Sequence, residues 1–227
     1  MPQPAEYFCR NQGALTPEQQ QVLHRGRVMV VGCGGLGGYV IEQLVRIGVG
    51  HLEIFDPDDF TASNCNRQLN ALGATLGLNK ASVAAKRAAA IHPFCTVTAH
   101  AVDFRDVAGD DPFRAEVVVD CLDNARARHD LAALCTALNR PLVHGAVNGW
   151  CGQVGVQLPG SDLIARLYPP RPADPSAEPP SVLSFVVAAI ASLQVAETVK
   201  LLLHLPSTLH NRWIHLDLKH GDLLHAP

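Results

Sequence analysis

The residues best placed to do chemistry begin with a glycine loop. Gly32, Gly34 and Gly37, with Gly35 among them, have the GxGxxG spacing of a turn that carries a phosphate. Without side chains the backbone approaches the anion closely, and its N–H groups act together with the positive end of the following helix. Asp56 stands at the end of the next apolar run, where an acid binds a ribose hydroxyl. Loop and acid together point to an adenine nucleotide, NAD as readily as ATP. Charge separates the two. A dinucleotide's diphosphate is served by the helix end alone, whereas a triphosphate losing its pyrophosphate gathers charge that needs several cations. Arg67, in Asn64-Cys65-Asn66-Arg67-Gln68, and Lys80, at the start of an alanine-rich helix, are such cations. Asp123 and Asn124 follow the apolar run 117–121 and fall at the carboxyl edge of a strand, where open α/β sheets bind their ligands.

These groups need an open sheet to hold them. Residues 28–31 form an unbroken apolar run rich in valine, the mark of a strand buried on both faces of a parallel sheet, and 51–55 form a second strand. Helical spacing of apolar residues covers 39–47, and helices are expected over 79–91, 125–138 and 181–204. Further strands fit 95–101, 116–121, 141–146 and 153–157, with a closing strand over 213–218. Alternation of this kind reads as a doubly wound sheet with right-handed crossovers. Upstream, Thr16 as N-cap, Pro17 at the first helical position and Gln19 at the capping-box position predict a short helix to about His24. Six of the thirteen residues 168–180 are proline, which excludes helix and central strand there. The expectation is one domain over 1–227, with an N-terminal arm and helix over 1–26 and a proline-rich crossover loop over 168–181.

Bulk properties narrow the function classes. The net charge of −3, with 17% charged residues, gives no basic field to attract nucleic acid or an acidic membrane. Seven scattered cysteines without a CxxC argue against a disulfide framework and a zinc knuckle. Most of them read as small buried hydrophobes. The opening residues lack a signal-peptide pattern, and the apolar stretch 182–195 is interrupted by Ser184, Ser192 and Gln194, so a core helix and a cytoplasmic setting are expected.

The glycine loop VVGCGGLGG, the acid in FDPDD, the SNCNRQ segment, the GLNKA lysine and the DCLDN turn resemble, in order, the ThiF/MoeB/HesA family of ubiquitin-activating-type adenylating enzymes. The YFCRNQ start is similar to the family's amino-terminal arginine motif, and residues 192–200 to its carboxyl-terminal helix. The resemblance implies a Rossmann-like, mostly parallel α/β sheet with an N-terminal helical extension and antiparallel C-terminal strands. It implies that the glycine loop holds ATP and Asp56 its ribose, with Asn64, Arg67, Gln68, Lys80 and Asn124 around the nucleotide. Asp123 would hold a magnesium ion, and Arg10 would reach the triphosphate of a neighbouring subunit in a homodimer. The implied substrate is the Gly-Gly carboxyl terminus of a ubiquitin-like sulfur-carrier protein. Two departures stand out. The paired CxxC zinc ligands of many relatives are missing, so zinc is not expected, and the crossover loop has no cysteine for a thioester or persulfide.

Plainer readings stand beside these. Arg67 and Lys80 are also what ordinary surface cations look like, and Asp123 is well placed to cap the helix after it. Glu6 stands where the family usually shows another arginine. The histidines at 204, 210, 215, 220 and 225 have neither a helix-face nor a zinc spacing and read as solvated or satisfied. Competing functions are adenylation of a small or tRNA-borne carboxylate, an NAD-dependent oxidoreductase, and a nucleotide-binding module without catalysis. The oxidoreductase leaves Arg67, Lys80 and Asp123 without a task, and intact Asp123 and Lys80 speak against a module that has lost catalysis.

Overall fold

The computed structural model describes residues 4–107, 114–170 and 181–226. Eight strands form one sheet: β1 (Arg27–Val31), β2 (His51–Phe55), β3 (Thr96–His100), β4 (Val117–Asp120), β5 (Leu142–Asn148), β6 (Cys151–Gln157), β7 (Trp213–Asp217) and β8 (Asp222–Ala226). Their order is β3-β2-β1-β4-β5-β6-β7-β8, parallel through β5 and antiparallel beyond it. The helices are α1 (Pro4–Tyr7), α2 (Pro17–Arg25), α3 (Gly35–Ile47), α4 (Lys80–Ile91), α5 (Ala125–Ala137), α6 (Leu163–Leu167) and α7 (Ser184–Leu202).

Alternation along β1 shows why the sheet is buried twice. Val28 and Val30 join the core shared with α3, α4 and α7, while Met29 and Val31 join the one shared with α5 and α6. Because β2 and β4 flank β1 on opposite sides, the chain winds outward both ways and leaves a crevice at their carboxyl ends. The long helix α7 has the length and apolar composition of a membrane span, yet Val186, Val187, Ile190 and Ala191 are fully buried against the sheet and α3.

Thr16 closes the expected capping box: its hydroxyl accepts from Gln19 N–H at 3.2 Å, and Gln19 accepts from Thr16 N–H at 2.9 Å. Three expectations need correction. The helix after the glycine loop begins at Gly35 rather than 39, because backbone geometry carries it through glycines of low helix propensity. The strand at β7 does not close the sheet; a turn with Gly221 at φ +78° leads to β8, which forms the edge. Asp222-Leu223-Leu224-His225-Ala226 has no β-branched residue, so its sequence gave little sign of a strand. Helix α7 starts at Ser184 rather than 181, since Val182 instead makes an isolated bridge to Gly149. Most of the proline-rich crossover, residues 171–180, lies outside the described residues.

Candidate active site

Gly32 leaves β1 with φ +94°, and a Cβ there would stand 2.6 Å from the carbonyl oxygen of Cys121. A Cβ on Gly37 would stand 1.8 Å from the carbonyl oxygen of Gly32. These two glycines therefore let the β1 exit, the first turn of α3 and the end of β4 touch. Gly34 precedes α3 without any side-chain cap, so the first N–H groups of that helix have no side-chain partner at the cap.

Asp56, at the end of β2, is 6% exposed. Its Oδ2 accepts from Cys33 N–H at 2.7 Å and its Oδ1 from Asp58 N–H at 2.9 Å, so the same carboxylate straps the glycine loop. Burial raises its pKa above the ordinary carboxylate range, outweighing those N–H bonds and the nearby Lys80. Burial, then Asp56, pushes the Cys33 thiol upward as well, which removes it as a nucleophile.

Asn79 caps α4 by accepting from Ser82 N–H at 3.0 Å, while its Nδ2 donates to the carbonyls of Asp56 and Asp58 at 3.0 and 3.1 Å. The next residue is Lys80. Its buried side chain reaches Asp58 Oδ2 at 2.9 Å, a partner that is largely exposed. Arg67 donates from Nη1 to the carbonyl of Ser63 at 2.9 Å and to Asn66 Oδ1 at 2.8 Å.

On the far side of the crevice, Asn124 caps α5, its Oδ1 accepting from Ala127 N–H at 2.9 Å. That leaves Asp123 uncommitted to the helix. Its exposed carboxylate accepts from Asn124 Nδ2 at 3.2 Å.

One cavity of about 950 Å³ gathers these groups. Gly32, Gly34, Gly35, Asp56 and Gln68 line one side of it, and Arg67, Lys80, Asp123 and Asn124 supply its charged and polar rim. Gln68 Oε1 is buried without a partner, an acceptor available to a ligand donor. Three expected site residues are not among its walls. Gly37 serves packing, Asn64 turns its Oδ1 to Thr61 N–H at 3.0 Å, and Arg10 sits exposed in the turn Cys9–Asn11.

A second constellation was not anticipated. Asp120, ending β4, and His144, in β5, are fully buried, with His144 Nδ1 2.7 Å from Asp120 Oδ2. Arg128 of α5 approaches the same oxygen at 3.5 Å. Its Nη1 donates to the Tyr168 hydroxyl at 2.7 Å, and its guanidinium lies 4.8 Å from the centre of that ring. The Tyr168 hydroxyl is 3.2 Å from His144 Nε2 and 3.1 Å from Gln153 Nε2. Burial holds the His144 pKa below its ordinary value although Asp120 pulls the other way, which favours the neutral ring. Arg128, Gln153 and Tyr168 all reach the cavity wall. The signal in sequence was an acid ending an apolar strand and a histidine inside another, both of which demand buried partners.

The match to known proteins is as extensive as the site. The ThiF family model matches residues 8–227. The chain belongs to the ThiF family. It is 34% identical over 197 residues to the sulfur carrier protein adenylyltransferase of Thermus thermophilus, covering 82% of this chain and 73% of that protein. It is likewise 34% identical over 193 residues to the molybdopterin-synthase adenylyltransferase of Salmonella typhimurium, covering 82% and 77%. Among solved structures, E. coli MccB with MccA-N7isoASN superposes with a TM-score of 0.82 at 18% identity, over 99% of this chain and 72% of that one, a likeness of fold. This ThiF-family chain is an adenylyltransferase, and its nucleotide is ATP.

The remaining cysteines and histidines are scattered over the described residues. Cys95, Cys121 and Cys135 are buried like Cys33, Cys151 is half-buried, and Cys9 and Cys65 are exposed. No group of three or more His, Cys, Asp or Glu side chains among the described residues is arranged to hold a metal by itself. His220 pairs with Asp217 at 2.8 Å, while His215 reaches the cavity wall.

Proposed function

We propose that this chain activates the C-terminal glycine carboxylate of a ubiquitin-like sulfur-carrier protein by transferring AMP to it from ATP. The observation that carries the reading is the convergence in one cavity of the glycine loop and Asp56 with Arg67, Lys80 and Asp123. The name of the Thermus relative, which specifies a sulfur carrier protein, supports the substrate class.

In this reading the ribose sits on Asp56 and the phosphates on the unpaired N–H groups at the start of α3. Arg67 and Lys80 face the β- and γ-phosphates. Their present partners, two neutral oxygens and one exposed carboxylate, are ones a triphosphate displaces readily. Magnesium suits a lone accessible carboxylate, since this ion is usually held by one or two acids together with substrate phosphates. Asp123 would hold it, and the ion would supply charge neutralisation on the leaving pyrophosphate. The substrate carboxylate attacks the α-phosphorus in line, and the cations stabilise the charge that gathers on the departing oxygens. No protein nucleophile takes part.

The cavity also continues along the sheet beyond Asp123, past Asn148 at the end of β5, Gly152 and Gln153 in the first half of β6, and His215 in the middle of β7. Its volume of about 950 Å³ is near the top of the range of roughly 300–1,000 Å³ for small-ligand sites, which leaves room for an extended glycine tail. Arg10, away from its own cavity, acts in a partner copy of a homodimer.

The test is exchange of radiolabelled pyrophosphate into ATP, with magnesium and carrier proteins ending in Gly-Gly. Exchange that needs a carrier and disappears in Asp123→Ala is expected. Exchange with a free small carboxylate, but with no carrier, would move the substrate assignment away from proteins.

A further inference from the structure

The buried cluster of Asp120, Arg128, His144 and Tyr168 is a costly way to fill a core. Replacing a buried ion pair with apolar residues is often neutral or stabilising, so stability alone gives little reason for one here. Its bonds to the backbone converge on Leu122. Asp120 Oδ1 accepts from Leu122 N–H at 2.9 Å, and Arg128 Nη2 donates to the Leu122 carbonyl at 2.5 Å. Both backbone groups of the residue before Asp123 are thereby fixed by buried charges. The Asp123 carboxylate itself is bonded to Asn124, a neighbour on the same turn. Its direction is therefore set by the backbone that carries it.

Tyr168 completes the hold on Arg128. The guanidinium is planar, so its two arms move together. One arm meets Leu122 and the other the Tyr168 hydroxyl, whose ring also lies against the guanidinium face. With His144 donating from Nδ1 to Asp120, its Nε2 remains an acceptor for the Tyr168 O–H. The hydroxyl then accepts from Arg128 and Gln153 and donates to His144, which saturates it. Arg128 Nε, 3.5 Å from Asp120 Oδ2, makes no hydrogen bond, but both of its Nη groups, the Tyr168 hydroxyl and both His144 nitrogens are paired, and these bonds hold the guanidinium in place.

We propose that Tyr168 is a positioning residue for the metal-bearing turn: through Arg128 it holds Leu122 so that Asp123 presents its carboxylate to the magnesium of bound ATP. The inference rests on Asp123 as the magnesium ligand.

Binding calorimetry on the full chain, with ATP plus Mg2+ and with ATP plus EDTA, measures how far the metal strengthens nucleotide binding. Thermal unfolding without ligand is recorded beside it. Asp123→Asn is expected to abolish the enhancement. Tyr168→Phe removes only the hydroxyl, and is expected to reduce the enhancement about tenfold, the lower end for groups that orient metal ligands. Its affinity for ATP in EDTA should stay within about twofold of wild type, whereas general loosening of the fold would weaken both measurements equally. Equal enhancement in Tyr168→Phe and wild type, with Asp123→Asn defective, overturns the proposal and leaves the magnesium assignment standing. Enhancement that survives Asp123→Asn removes the assignment and the proposal together. If Tyr168→Phe does not fold, Arg128→Lys keeps the charge opposite Asp120 but lacks the fork, and the same loss is expected of it. Full enhancement in that variant counts against the proposal in the same way.

Discussion

Asp56→Asn separates two tasks of one carboxylate. In the fold its oxygens accept from Cys33 N–H at 2.7 Å and Asp58 N–H at 2.9 Å. An asparagine keeps one of these bonds and turns its NH2 group toward the other N–H. A buried N–H left unpaired costs about 1–3 kcal/mol. Against this, the substitution removes an anion that burial disfavours. The two effects oppose each other, so the net loss of stability near pH 7 is expected to be about 1 kcal/mol or less. The ribose contact proposed for Asp56 has no such offset. Hydrogen bonds to a charged group contribute about 1.5–3 kcal/mol, so ATP affinity should fall roughly 10- to 150-fold. Calorimetry of ATP binding reads that loss, and an unchanged affinity takes Asp56 out of the nucleotide site.

The sign of the pH dependence tests the same balance. A carboxyl whose folded pKa is raised favours the fold most below its unfolded value of about 3.9, and that contribution is lost as the pH rises through the folded pKa. Asparagine lacks this contribution. Paired urea titrations near pH 7 and at about pH 4.5 are therefore expected to show wild type gaining on Asp56→Asn as the pH falls. If wild type instead loses ground on acidification, the N–H bonds outweigh burial and the reasoning fails.

Lys80→Met should lower pyrophosphate exchange by about 10²- to 10³-fold, as losing one group that stabilises transition-state charge does. Its melting temperature should barely move, because the ion pair it makes among the described residues is to the exposed Asp58; an equal fall in both would make Lys80 structural. Gly37→Ala is expected to fail differently: its Cβ would meet the Gly32 carbonyl oxygen at 1.8 Å, and backbone must shift at a cost of about 1–3 kcal/mol or more, seen in a denaturant titration. Arg10→Ala and Asp123→Ala, each inactive alone, should recover about a quarter of wild-type exchange when refolded together, since half of randomly mixed dimers carry one complete site. No recovery, with mixed dimers demonstrated, removes Arg10 from the partner's site. Iodoacetamide followed by peptide mass spectrometry should label Cys9 and Cys65 and spare Cys33 in the native chain, because burial holds that thiol protonated; rapid labelling of Cys33 contradicts its placement.

What was legible in the sequence was local. Val28 to Val31, the glycines after them and Asp56 lie within one strand-turn-helix-strand unit, so spacing alone brings them together. Asn64 shows the limit of reading by position in a motif: a short polar side chain near the start of a turn bonds its own backbone, and here it turns to Thr61. Asp123 and Asn124 are a finer case. Either can cap α5, and the extended backbone of Asn124, at φ −130° and ψ 145°, gives it the cap and frees Asp123 for the cavity. The network around Asp120 was out of reach because it joins β4, α5, β5, β6 and the residue after α6, and each member alone reads as an ordinary polar residue.

The site divides its labour accordingly. Its fixed parts are backbone and the amides that cap it: the Gly32 and Gly37 approach, the Asn79 and Asn124 side-chain caps, and a Leu122 held at both of its polar groups. Its charged side chains are held weakly or at a cost to the fold. Lys80 rests on an exposed acid, Arg67 on neutral oxygens, Asp123 on its neighbour, and Asp56 is an anion that burial disfavours. Strong internal pairing of these charges would have to be broken each time a triphosphate entered. In the function proposed above, fixed dipoles with weakly committed charges would let the nucleotide take over the pairing without moving the frame, which is the condition for stabilising a pyrophosphate as it leaves.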